Sequence, residues 1–210
     1  PLIYPPPPPT STLDNLRRQR QMCIRDRYIC GPGDRTDRFT YWPARTAAGG
    51  PMLWPGTAED AIQIIDVRDL AAFTIHVAEQ RLTGAFNTAT PAGEYTMGDL
   101  QSDCLAVSAA DTKPTWVPHS FLDTQDLGEG NTLPIWVPPV PEYAGAARVS
   151  SERAVAAGLR NRNTRETTRD TLAWWLQQDA ERRAGIRAGP KQETEQGVLK
   201  AWQAQAAEAS

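Results

Sequence analysis

The chain has 210 residues, a formal net charge of −3 and 40% hydrophobic residues, enough for one domain of moderate size with a buried core. The slightly acidic balance argues against a nucleic-acid binder, which carries a basic patch or stripe. No window supplies the roughly 18 apolar residues that span a bilayer, no signal-peptide pattern opens the chain, and three cysteines offer no disulfide framework. The expectation is a cytoplasmic protein with neither membrane nor nucleic acid as partner.

Residues 1–27 read as a disordered leader. Pro5–Pro9 favours polyproline II, a ligand shape for aromatic-grooved adaptor domains, but the segment has few apolar residues to bury. Its end, Gln21-Met22-Cys23-Ile24-Arg25-Asp26-Arg27, is what CAG-ATG-TGT-ATA-AGA-GAC-AG encodes. That sequence looks like the end of a transposon used to prepare sequencing libraries, so the leader is expected to be an artefact joined to natural sequence at Tyr28.

From there the predicted elements run in order. Tyr28–Cys30 is a strand remnant ending in the turn Gly31-Pro32-Gly33. Asp34 is a candidate N-cap for a helix through Ala48, kinked at Pro43 and closed by Gly49-Gly50. Ile62–Ile65 reads as a buried strand running into Asp66, which caps a helix with Leu70, Phe73, Thr74, Val77 and Ala78 on one stripe. Gly84–Thr88 is another short strand, and Thr96 caps a helix to Ser108. Residues 111–147, rich in proline and tryptophan, read as loops and single turns. Ser150 and Thr164 are candidate caps for two late helices, the second carrying Leu172, Trp175 and Leu176. Residues 185–190 break the pattern before a last helix, Gln192–Ala207, which is expected to expose Val198, Leu199 and Trp202. This divides the chain into a leader (1–27), a main body (28–190) and a terminal helix (191–210).

Few residues announce chemistry. No three glycines stand at the spacing of a dinucleotide-binding turn, and no tyrosine is followed four residues on by lysine. Tyr41–Arg45 has that spacing with arginine, which would set a cation beside the phenol. There is no G-x-S-x-G, H-E-x-x-H or C-x-x-C. His76 and His119 read as helix-surface and loop residues, Cys30 and Cys104 as small buried hydrophobes, and Asp123 and Asp126 as solvated turn residues. One cluster suggests a site: Arg35, Arg38 and Trp42 follow a strand end, where arginines could clamp an anionic substrate group. The competing reading is a solvated face balanced by Asp34 and Asp37.

Four landmarks stand in order from Tyr28 to about Trp202: Tyr28-Ile29-Cys30-Gly31-Pro32-Gly33-Asp34, Ile64-Ile65-Asp66-Val67-Arg68-Asp69-Leu70-Ala71, Gly84-Ala85-Phe86-Asn87 and Thr167-Thr168-Arg169-Asp170-Thr171-Leu172-Ala173-Trp174. Together they resemble the C-terminal half of the NAD-dependent epimerase/dehydratase family, the extended short-chain dehydrogenase/reductases. The resemblance implies an α/β fold: the last strands and helices of an incomplete Rossmann-like domain, plus a small mixed α/β lobe for substrate. It implies NAD or NADP as cofactor, a small-molecule substrate and a homodimer of the complete protein. The family's tyrosine, lysine and glycine-rich turn would lie upstream of Tyr28, leaving no catalytic residue here. Gly31 and Pro32 match its loop beside the nicotinamide, and Arg35, Arg38, Trp42 and Gln63 fall in its substrate-binding portion. Sugar-nucleotide members place an arginine shortly before the I-H-V segment. Here Ala61-Ile62-Gln63-Ile64 has no cation and Asp66 replaces the histidine, which points to a smaller carbonyl, alcohol or sugar-like substrate. The expected chain is an inactive fragment of such an oxidoreductase or epimerase, with Leu70, Phe73 and Val77 facing water. The alternative is a non-catalytic binding or regulatory module that has lost its cofactor half.

Overall fold

A computed structural model describes residues 22–128 and 130–208; the polyproline run and the polar piece after it lie outside them. Six strands form three parallel pairs. β1 (Met22–Asp26) lies beside β5 (Gly84–Thr88), β2 (Tyr28–Cys30) beside β4 (Ile64–Asp66), and β3 (Gly50–Pro55) beside β6 (Thr112–Val117). Each is reached by a crossover, as parallel pairing requires. The helices are α1 (Tyr41–Ala47), α2 (Val67–Glu79), α3 (Met97–Val107), α4 (His119–Leu122), α5 (Glu152–Ala156), α6 (Thr164–Leu176), α7 (Ala180–Ala184) and α8 (Gln192–Glu208).

Side chains alternate across a strand, so neighbours on β4 serve different cores. Ile64 enters a large core with Phe39, Trp42, Met52, Trp54, Leu100 and Val117. Ile65 enters a smaller one with Phe73, Val77, Phe86, Ala154 and Leu159. The α2 stripe therefore has a partner: Phe73 and Val77, one helical turn apart, are buried, and Phe73 meets Phe86 edge-on with ring centres 5.6 Å apart. This corrects the expectation that the stripe faces water. Val198 and Leu199 on α8 are likewise buried in the large core, and Trp202 packs on Phe121 at 5.0 Å, so the terminal helix does not expose them.

Three further expectations change. Residues 22–26 form a strand rather than a disordered segment, in register from Met22 opposite Gly84 to Asp26 opposite Thr88. Pro43 starts no kink because α1 begins only at Tyr41, which leaves the proline in the first turn, where its missing N–H costs nothing. Strands β3 and β6 occupy stretches read as helix stop and loop, since Pro51, Pro55 and Pro114 resemble breakers. Both are paired on one side only, where a residue without an N–H is tolerated.

Thr96 caps α3 as expected, its hydroxyl accepting from Asp99 N while the Asp99 carboxylate accepts from Thr96 N. At α6 the cap is Asn163 rather than Thr164, and α5 follows Ser151, which makes no side-chain cap bond.

Candidate functional site

The segment leaving β2 is shaped by two glycines and one aspartate. Gly31 has φ +110°, and a Cβ there would come within 3.3 Å of Val67 Cγ1 and 3.4 Å of the Asp66 carboxylate, so only glycine passes this close to the start of α2. Asp34 then collects the following loop. Its Oδ1 accepts from Thr36 N (2.9 Å) and Thr36 Oγ1 (2.7 Å); its Oδ2 accepts from Phe39 N (3.2 Å), Thr40 N (3.3 Å) and Thr40 Oγ1 (3.1 Å). Asp34 therefore does not cap a helix through Ala48: it folds residues 34–40 into turns, and α1 starts after them. Asp37, fully buried with φ +58°, accepts from the Arg182 guanidinium and from Arg187 N at 2.8 Å, tying the same loop to α7.

Arg38 emerges from this scaffold exposed. Its Nε donates to Thr36 Oγ1 (3.2 Å) and its guanidinium lies over the Tyr28 ring, 5.2 Å from the centroid. It borders a cavity of about 260 Å³ with Asp26, Arg27, Tyr28, Val137 and Ala146. Val137 and Ala146 also line a neighbouring cavity of about 430 Å³ walled by Glu59, Asp60, Arg148 and the prolines 138, 139 and 141. The two form one cleft between the junction of β1 with β2 (Asp26–Tyr28) and the 137–148 segment. Three arginines (27, 38 and 148) and three acids (Asp26, Glu59 and Asp60) line it, so it carries no excess of either sign. Asp60 is held in place: its Oδ2 accepts from Trp136 Nε1 at 2.6 Å and from Thr57 N at 3.2 Å.

The sequence-predicted site residues separate on this geometry. Arg38 lines the cleft. Arg35 is exposed outside it, its carbonyl accepting from Arg187 Nη1 at 2.8 Å. Trp42 is fully buried, stacked on Trp54 at 4.6 Å with its indole N–H on Pro134 O (3.0 Å), so it cannot touch a substrate. Gln63 is 2% exposed, and its amide is spent on the backbone: Nε2 donates to Thr90 O (2.8 Å) and Val149 O (2.9 Å), and Oε1 accepts from Val149 N (2.9 Å). Gln63 thus anchors the end of the cleft wall instead of facing a ligand. Sequence reasoning missed Tyr28, Asp60 and Arg148 as lining residues. The aspartate beside Trp136 carried no local signal, because 76 residues separate the two.

Gly31 and Pro32 stand at the carboxyl end of β2, but this loop does not fit a cofactor diphosphate. The N–H groups of Thr36, Phe39 and Thr40, which could receive phosphate oxygens, are already taken by the Asp34 carboxylate. Burial, with Asp34 and Asp66 nearby, pushes the Cys30 thiol well up, and burial does the same for Cys104, so neither is a nucleophile. No group of three potential metal ligands occurs among the described residues, and none of the described helices is long and apolar enough to cross a membrane.

No family model and no curated protein matches the sequence. Solved structures do match the fold. The human epimerase family protein SDR39U1 (isoform 2), solved with NADPH, is 17% identical with a TM-score of 0.50, over 73% of this chain and 48% of that one. A GDP-L-fucose synthetase from Naegleria fowleri, bound to NADP, is 9% identical with a TM-score of 0.51, over 73% of this chain and 46% of that one. The chain has the fold of part of these Rossmann-type epimerase and synthetase structures. It spans about half the length of the solved structures it matches. The expected α/β class is thereby met, with short parallel pairs and covering helices standing for part of a Rossmann-like domain.

Proposed function

We propose that the chain is the substrate-binding portion of an NAD(P)-dependent oxidoreductase or epimerase, acting on a small carbonyl, alcohol or sugar-like substrate and inactive by itself. The observation that carries this reading is the cleft at the carboxyl end of β1, the end of a parallel strand where ligands of open α/β sheets bind. Its balanced charges suit an uncharged polar substrate better than a nucleotide diphosphate, which would call for a cationic excess. The likeness to structures solved with NADPH and NADP supports the cofactor class. In this reading the cofactor and the proton-transfer groups come from elements preceding Tyr28, while Gly31 and Pro32 border the nicotinamide end. Arg38 and Asp60 orient the substrate's oxygens.

The test is to read the source locus upstream of the Tyr28 codon and express the longer frame beside the present chain. The longer protein is expected to oxidise NADH or NADPH with small aldehydes, ketones or keto-sugars. Arg38→Ala in it should raise KM several-fold with little change in kcat. Turnover by the present chain alone, or a longer protein that binds NADPH yet converts none of these, would overturn the proposal.

A further inference from the structure

The cleft is not the one cavity of substrate size among the described residues. Another, of about 570 Å³, lies between α1 and the 183–192 segment, and it shares no lining residue with the cleft. Pockets for small molecules commonly have this size. Tyr41 and Arg45 of α1, Trp175 of α6, Ile186 and Lys191 contribute to its wall. Gly189, at φ +88°, brings the segment down on the Tyr41 ring; a Cβ there would lie 2.1 Å from Tyr41 Cδ2.

Two observations point to a ligand. Tyr41 is 3% exposed and its hydroxyl has no hydrogen-bond partner among the described residues, which costs about 1–3 kcal/mol when nothing else satisfies it. Its neighbours are otherwise engaged: Arg45 donates to Glu195 Oε2 (2.7 Å) and Gly49 O (2.9 Å), and Glu195 Oε1 accepts from Leu53 N (3.0 Å). The second observation is charge. Arg183 and Lys191 line the same cavity and have no acidic partner among the described residues, while its one acid, Glu195, is neutralised by Arg45. Burial, and then the Glu195 charge, hold the Tyr41 phenol well above its ordinary pKa, so it is present as a hydroxyl able to donate.

We propose that this cavity binds a small amphipathic organic anion. Its apolar body would lie against Ile186 and Trp175, its anionic head would meet Lys191 and Arg183, and a polar group at its other end would satisfy the Tyr41 hydroxyl. This site does not depend on the proposed enzymatic function.

The probe is 3-(4-hydroxyphenyl)propionate, titrated calorimetrically into the full chain beside 3-phenylpropionate, which lacks the phenol, and 4-propylphenol, which lacks the carboxylate. Saturable binding is expected for the first, weakened about three- to tenfold in either comparison compound. Tyr41→Phe keeps the ring under Gly189 and should abolish the preference for the phenolic compound. Lys191→Ala, at an exposed position, should weaken both carboxylates and leave 4-propylphenol unaffected. Absence of saturable binding by the unmodified chain, or binding unchanged in both variants, would overturn the site.

Discussion

Thr167 Oγ1 donates a 2.8 Å hydrogen bond to Asp66 Oδ2 across 101 residues of chain, joining the first third of the chain to its last. Asp66 also receives Arg68 N (2.8 Å) at the start of α2 and the Arg68 guanidinium (2.7 Å), while Arg68 reaches Asp170 on α6 at 2.6 Å. Arg162 adds a bond of 2.7 Å to Asp69. Asp66 is therefore the hub that fastens α6 to the start of α2. Asp66→Asn should lower unfolding free energy by about 3 kcal/mol, because it leaves arginines facing a neutral amide in a buried setting. Thr167→Val should cost about 1 kcal/mol. Urea denaturation of both variants measures the difference.

The same hub sets an acid limit to stability. Burial alone would raise the Asp66 pKa, but bonds from Arg68 and Thr167, with the Arg162 charge, bring it below the ordinary value. Arg68 and Arg169 lower Asp170 likewise. A depressed folded-state pKa means that the unfolded chain binds protons more readily, so this stability is present above about pH 4 and is lost as pH falls through the folded values. Melting temperatures between pH 7 and pH 3 should show a steep acid limb that flattens in Asp66→Asn.

Asp34 organises the loop that presents Arg38. Replacing it with alanine strips the partners from Thr36 N, Phe39 N and Thr40 N and should destabilise the chain by about 2 kcal/mol. Amide exchange at Phe39 and Thr40 should accelerate. Arg38→Ala, exposed and free of buried partners, should move stability by less than about 0.5 kcal/mol.

Gln63 braces the cleft wall through Val149. In Gln63→Leu the amide's three backbone partners lose it, and limited proteolysis should cut within residues 137–149 faster than in the unmodified chain. Unchanged cleavage there would show that the wall is held by other contacts.

How much of this was legible follows from the range of the interactions. The β4 strand, the Asp66 and Thr96 caps and the Gly84–Thr88 strand rest on hydrophobic runs and hydroxyl or carboxylate caps close in sequence, and all were readable. β3 and β6 were not, because whether proline breaks a strand depends on which edge is unpaired, a tertiary fact. Trp42 and Gln63 look like ligand contacts beside a strand end. Only Trp54, Pro134, Thr90 and Val149, brought in from distant segments, show them to be structural. Arg38, singled out because it follows a strand end, borders the cleft.

The most direct measurement is a calorimetric titration of the purified chain with NADH and NADPH. If this is a substrate-binding portion whose one candidate phosphate loop is filled by Asp34, neither nucleotide binds saturably at concentrations into the millimolar range. Micromolar affinity for either would contradict the account, because the residues of this chain alone would then hold the cofactor.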